Sequence, residues 1–323
     1  MPTPDEVPTP TPRDAMPQPS RLGLRARLHA WWEGYEIGKP RPVPAPRTPR
    51  AETKAEPSAP PAPPAPPKDF WGPERILVGQ MIWGDGFTFP GGGEFAARLA
   101  QALEATKSSV VMDVGCGLGG GTRTIVERFG AKAHGYDLSP ELARAGDGLS
   151  AKAGLDLRAP IAAFDLEAPD WPKQHFDAAL LRSVLSVVPD KVEFVRRIGE
   201  SLKRAGRLVL LDWAVAEDER QGPAFAAYIA GEARPTYLGT VGQLTYLVET
   251  AGFTVRTTED YTDTFAPIVL DGWSRIESMV TAGMLKPAEG KALLNEAQLW
   301  GRRIAAMKAG ELRVARIEAH KKT

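Results

Sequence analysis

The run VVMDVGCGLGGGT, Val110 to Thr122, decides the fold. Val110–Val114 reads as an apolar strand with an acid, Asp113, inside it, and Gly115, Gly117, Gly119, Gly120 and Gly121 crowd the turn that follows. Glycine lets a backbone approach a ligand closely and take unusual dihedrals, as a nucleotide-type ligand at a strand's carboxyl end requires. By itself such a turn is common to dinucleotide-binding and methyl-donor-binding folds. The spacing here reads as GxGxG after an in-strand acid, and the G-x-G-x-x-G of dinucleotide sites is met only by forcing the register onto Gly115, Gly117 and Gly120. The GxxxxGK[ST] of a phosphate loop occurs nowhere in the chain.

About one βα unit further on, Asp137 closes the strand AHGYD. The two oxygens of a carboxylate placed there can accept both hydroxyls of a ribose. Asp165, in AAFDLEAP at the end of the next strand, stands where an adenine amino group could donate to it. Any one of these aspartates alone reads as a helix cap or a solvated loop acid. Three of them ending successive strands around one glycine turn point to a nucleoside-bearing ligand.

From Asp69 onward, helical and strand patterns alternate in βα order, which implies a doubly wound, mostly parallel α/β sheet with helices on both faces. Strands are expected at Val110–Val114, Ala133–Tyr136, near Pro160–Phe164, and at Phe176–Leu181, Arg207–Asp212, Phe253–Thr257 and Leu312–Glu318. Runs such as VVMDVG and RLVLLDW are apolar throughout, as strands covered on both faces should be. Helices are expected at Phe95–Glu104, Thr122–Phe129, Glu141–Ala151, Lys191–Lys203, Ala224–Ala230 and Gln243–Thr250.

Composition sets the outer limits. The chain has 323 residues, 43% of them apolar, with forty basic side chains balancing forty acidic ones. That balance argues against a surface that binds nucleic acid by counterion release. A lone cysteine, Cys116, excludes a disulfide framework and any CxxC zinc site, so no metal is expected. No stretch approaches the ~18 consecutive apolar residues of a membrane span, and the N-terminus MPTPDEVPTP lacks the layout of a secretion signal. The expectation is a cytoplasmic protein. Of 30 prolines, 19 fall in residues 1–68, so this segment is expected to be a disordered, Pro-rich tail that cannot offset its ordering entropy. Within it, residues 21–38 (RLGLRARLHAWWEGYEIG) carry apolar residues at helical spacing among arginines. They read as a short amphipathic helix that packs on the protein's own surface or docks on a partner or an anionic membrane.

At this point the chain resembles the class I S-adenosylmethionine-dependent methyltransferases, and more closely their phosphoethanolamine N-methyltransferase branch. The marks are WGDGFTFPGGG before the first core strand, GLGGG in the turn, FGAKAHGYDLS across the second strand, LLRSVLSVVPD after the fourth, and a terminal WGRRIAAMKAGELRVARIEAHKK. The resemblance implies a seven-stranded Rossmann-like domain over 69–323, with an N-terminal lid at 69–106 and a helical insert at 214–252. It implies S-adenosyl-L-methionine as cofactor. Asp113, Gly115, Gly117 and Gly119 would line its methionine part, Asp137 would bind the ribose, Leu138 would flank the adenine, Asp165 would hold its amino group, and Arg182 would lie near the donor.

The departures fall on the acceptor side. Where the phosphobase enzymes pair a lid tyrosine with a histidine after the fourth strand, this chain has Trp71 and Val187. Ser183 replaces an aspartate, Trp213 a tyrosine after the fifth strand, and Thr236 a phosphate-binding tyrosine, while Arg234 matches an arginine beside it. No catalytic residue is assigned; Asp85, Asp212, Tyr228 and Tyr237 are the available sources of a base. Trp71, Trp83, Phe87, Trp213 and Tyr237 read as ordinary lid and core packing or as walls of an aromatic substrate pocket. The expectation is methyl transfer to a small molecule, an amine or lipid-head-group-like acceptor less anionic than phosphoethanolamine. The alternative is a donor-binding pseudoenzyme that regulates or scaffolds through its tail.

Overall fold

The computed structural model describes residues 71–217, 221–281 and 285–322; the Pro-rich segment 1–68 and the helix expected at 21–38 lie outside them. Strand β1 (Val110–Val114) is the centre of the architecture. Its residues Val111, Met112, Asp113 and Val114 are wholly buried, because β2 (Lys132–Asp137) and β4 (Phe176–Arg182) pair with it in parallel on either side and helices cover both faces. β3 (Ile161–Ala163) extends the sheet beyond β2. β5 (Leu202–Val215), β7 (Leu312–Lys321) and β6 (Phe253–Asp260) extend it beyond β4, giving the seven-stranded order β3-β2-β1-β4-β5-β7-β6. β7 runs antiparallel to both of its neighbours, and the other strands share one direction.

Local sequence explains most of the helices. α1 (Pro73–Trp83) starts on proline, whose missing N–H costs nothing in a first turn. α2 (Gly92–Gln101) buries Phe95 and Leu99 on one side, and Leu103 is also buried just past its end. α3 (Gly120–Phe129) follows the glycine turn. Ser139 accepts from Leu142 N–H at 3.2 Å to cap α4 (Pro140–Lys152). Asp190 accepts from Glu193 N–H at 3.0 Å to cap α5 (Lys191–Ser201). α6 (Pro223–Gly231) precedes α7 (Val241–Thr250), which opens on a capping box of Thr240 and Gln243. Two long helices, α8 (Thr262–Thr281) and α9 (Pro287–Lys308), were not expected from the sequence. β5 is also longer than expected: after Leu202 pairs with Phe176, the next pairing is Arg207 with Ala178, and the excess bulges out through Ala205, at φ +54°.

The main apolar core lies between the sheet and α5 and α7, around Phe176, Leu181, Phe194, Ile198, Leu210, Val248 and Phe253. A second, aromatic layer joins α1 to α8 and α9. Trp83 meets Trp273 edge-on at 6.0 Å and Trp300 at 4.9 Å between ring centroids. That layer holds the N-terminal helices against the carboxyl-end side of the sheet.

Candidate active site

Strand order reverses between β1 and β4, so the crevice at their carboxyl ends is where an open α/β sheet takes its ligand. The glycine turn sits there. Gly115 and Gly117 have φ of +77° and +59°, a region that costs other residues about 1–2 kcal/mol. A β-carbon at Gly115 would land on the Arg182 carbonyl, and one at Gly117 on the Thr88 hydroxyl.

Asp113 and Arg182 form a buried ion pair across this crevice. Arg182 Nη2 donates to both carboxylate oxygens at 3.0 and 2.8 Å, and Thr122 Oγ1 donates to Oδ2 at 2.7 Å. The group ties the ends of β1 and β4 to the first turn of α3. Gly121 leaves the space for it, since a β-carbon there would come within 2.6 Å of the guanidinium. Arg182 Nε is buried and has no hydrogen-bond partner among the described residues.

Asp137 ends β2 and reaches the same turn. Its Oδ2 accepts from Gly117 N–H at 2.7 Å and its Oδ1 from Ser139 N–H at 2.9 Å. Each oxygen keeps a lone pair for a further donor. Burial holds the carboxyl above the ordinary aspartate range, although both amides pull it down. Leu138 is half-buried against the core. Asp165 lies two residues beyond β3, exposed, with Oδ1 accepting from Glu167 N–H at 2.9 Å. The Cys116 thiol packs with Ala143 and Ile161, and burial, with Asp137 and Asp113 nearby, pushes it well up, which makes it an inert filler.

The loop between α1 and α2 covers the glycine turn. Gln80 Oε1 accepts from Gly86 N–H at 2.8 Å and shapes the loop. Thr88 lies over Gly117, and Phe87 presses its ring on Gly120. Gly91, at φ +96°, caps α2. The 87–95 segment thus both caps a helix and covers the turn.

On the other side of the crevice, β4 runs into Ser183, held at φ +49°, and then into the 3-10 turn Leu185–Val187. Asp212, buried at the end of the β5 core, grips that turn. Its Oδ2 accepts from the amides of Val184 and Leu185, both at 2.7 Å, and its Oδ1 from Ser186 at 3.2 Å and Trp213 at 2.8 Å. Burial raises its pKa against these donors, but the lone pairs are taken, so it serves as a cap for the turn. Tyr228 is 2% exposed. Burial and the neighbouring Glu232 push its phenol far up, so it stays protonated.

The expected pocket residues are not gathered in one place. Trp83 and Trp213 both meet Trp300, at 4.9 and 6.2 Å, inside the aromatic layer. Phe87 is on the glycine turn. Trp71 carries the Arg75 guanidinium 4.0 Å from its ring centroid. Tyr237 is 41% exposed, donates its N–H to Ser186 O at 2.7 Å, and lies under Lys191 Nζ at 5.4 Å. Sequence reasoning missed Thr122, Thr88 and Arg303. The last is a helix residue whose partner, Glu232, is 71 positions away, and it stood unread inside WGRRIAAMK.

With the geometry in place, comparison identifies the class. A methyltransferase-domain family profile matches residues 92–258, more than half of the chain; the chain belongs to the methyltransferase domain family. Among particular proteins, it is 29% identical over 194 residues to phosphoethanolamine N-methyltransferase 3 of Arabidopsis thaliana, covering 60% of this chain and 39% of that one. It spans about two-fifths of the length of the first curated relatives it matches. Haemonchus contortus phosphoethanolamine N-methyltransferase 2, solved with phosphomonomethylethanolamine and S-adenosylhomocysteine, superposes at a TM-score of 0.68 and 23% identity, over 77% of this chain and 57% of that one. The [4+2]-cyclase SpnF superposes at 0.62 and 17% identity, over 80% and 98%. The fold is therefore the Rossmann-like methyltransferase fold, and its presence in a cyclase shows that fold alone does not assign the reaction. Among the described residues, no helix is long and apolar enough to cross a membrane.

Proposed function

We propose that this chain binds S-adenosyl-L-methionine in the β1–β4 crevice and transfers its methyl group to a small-molecule acceptor, an amine or lipid-head-group-like compound. The observation that carries the reading is the clasp of Asp137 on Gly117: a carboxylate fixed by two amides, with free lone pairs over a left-handed glycine turn. The unpartnered, buried Nε of Arg182 fits a polar ligand in the same crevice. Bound there, the donor would supply an electrophilic methyl on a sulfonium. Asp137 would hold the ribose, the Gly115–Gly119 backbone and Asp113 the methionine part, Asp165 the adenine amino group, and Leu138 one face of the base.

The acceptor would lie beside the Ser183–Val187 turn and Trp213. The 71–106 segment would act as a lid that excludes water, and the 214–252 insert would complete the roof. Alignment of this kind supplies up to about 7–11 kcal/mol in well-oriented reactions, so a dedicated base is not required. An amine acceptor need only lose its proton before attack. The amphipathic 21–38 segment is proposed to address the protein to a partner or an anionic membrane, which co-sedimentation of the full chain with anionic vesicles tests.

A second reading, donor binding without transfer, is favoured by one observation. Among the described residues no histidine stands at the acceptor side: His175 precedes β4 and His320 pairs with Arg207 of β5, both toward the amino ends of the parallel strands, and His134 is within β2. Titration calorimetry with S-adenosylmethionine tests the shared part. Saturable heat with the parent, lost in Asp137→Ala, is the expected result; no heat with either defeats both readings. Labelled donor incubated with a small-molecule extract separates them, since the first reading requires a labelled product.

A further inference from the structure

At the end of β5, two charges hold one another inside the aromatic layer. Arg303 of α9 stacks over Trp300 and Trp213, 4.8 and 5.5 Å from their ring centroids. Its Nε and Nη2 donate to the two oxygens of Glu232 at 2.9 and 2.8 Å. The side chains are only 17% and 13% exposed. Glu232 follows the last residue of α6, and Tyr228 lies one turn earlier on the same helix. Tyr228 feels the charges of Glu232, Arg303 and Asp212 together. The pair therefore packs on Trp213 and beside the buried Tyr228 at the carboxyl end of β5, on the side where the proposed reaction needs its acceptor.

A guanidinium stacked on indoles is well suited to bind a phosphate or a carboxylate. Here its fork is already filled by an internal carboxylate in the bidentate geometry that such anions use. An incoming anion would have to evict Glu232 or sit beside it, and like charges at low exposure are poorly screened.

We propose that Glu232 is a specificity-determining residue that closes the Trp213 side of the acceptor site to anions, so that the acceptor group meeting Trp213 carries no negative charge. The inference rests on the methyltransferase reading above. Glu232 acts as a built-in counter-ion: it discriminates by repulsion against the wrong substrate as well as by occupying the site the wrong substrate would use.

The test is titration calorimetry on the full chain saturated with S-adenosylhomocysteine, with phosphoethanolamine as the anionic probe. The parent should give no saturable heat at micromolar probe. E232Q, which keeps the shape and removes the charge, should bind phosphoethanolamine about tenfold or more tighter than the parent, and E232D should restore exclusion. Micromolar binding to the parent overturns the proposal whether or not the variants fold, and a folded E232Q that binds no tighter overturns it as well. Titrating S-adenosylhomocysteine alone into the same protein separates the two failures. Absence of that binding defeats the methyltransferase reading, whereas its presence together with phosphoethanolamine binding by the parent defeats only the role of Glu232.

Discussion

Replacing Arg182 by methionine removes the guanidinium that donates to both oxygens of Asp113 and leaves a wholly buried carboxylate with one hydroxyl donor, Thr122. Breaking a buried pair from one side costs about 3–5 kcal/mol, because the surviving charge can neither be solvated nor be paired. For a domain of this size each kcal/mol moves the melting midpoint by about 2–4 °C, so R182M should melt roughly 6–20 °C lower. In urea the midpoint should fall with the slope unchanged, since the surface exposed on unfolding is the same. The double variant R182M/D113L removes both charges and should recover much of the loss, giving a coupling energy of about 2 kcal/mol or more in a double-mutant cycle. A loss below about 1 kcal/mol for R182M, or single losses that add within about 0.5 kcal/mol, would refute the reasoning and reduce the pair to ordinary packing.

Three further outcomes are expected. Asp137→Asn should weaken donor binding by about 10–100-fold, the worth of a charged hydrogen bond. Because burial raises this carboxyl, its ionised form opposes folding. The parent's stability from this group should therefore fall, and its donor affinity rise, as pH climbs from the ordinary aspartate range through the raised one; calorimetry and melting against pH should show both trends flattened in the variant. Trp300→Ala should cost about 3–5 kcal/mol by thermal melting, because it removes the ring that Trp83, Trp213 and Arg303 share. His134 is held below its ordinary value of 6.5 by burial first and by His175 and Lys132 next. Its contribution should be intact above that value and lost as pH falls through it, and His134→Asn should lessen the decline in melting temperature on acidification.

The central strands were legible because burial on both faces leaves them continuously apolar, and the site around Asp113 and Asp137 was legible because its parts lie in consecutive βα units. Ser139 and Asp190 announce their helices by capping chemistry. α8 was obscured by Pro267 inside it and by Gly272, which a β-carbon would drive into Trp83. Its place is set by packing against α1, which no local pattern encodes. The extent of β5 was hidden by the bulge at Ala205 and Gly206, which reads as a strand boundary. Arg303 and Glu232 meet only through the tertiary fold, so neither carries a signal in its own neighbourhood.

The way Asp212 anchors its neighbourhood has a consequence for how such a protein can change trade. It grasps amide hydrogens, which every residue but proline provides, so the shape of that bend does not depend on which side chains decorate it. Val187, a half-covered member of the stretch, is thereby free to be exchanged like a bit in a chuck, whereas Ser183, at φ +49°, admits only residues that tolerate a left-handed backbone. New reactivity can be mounted there while the frame that aligns it stays put.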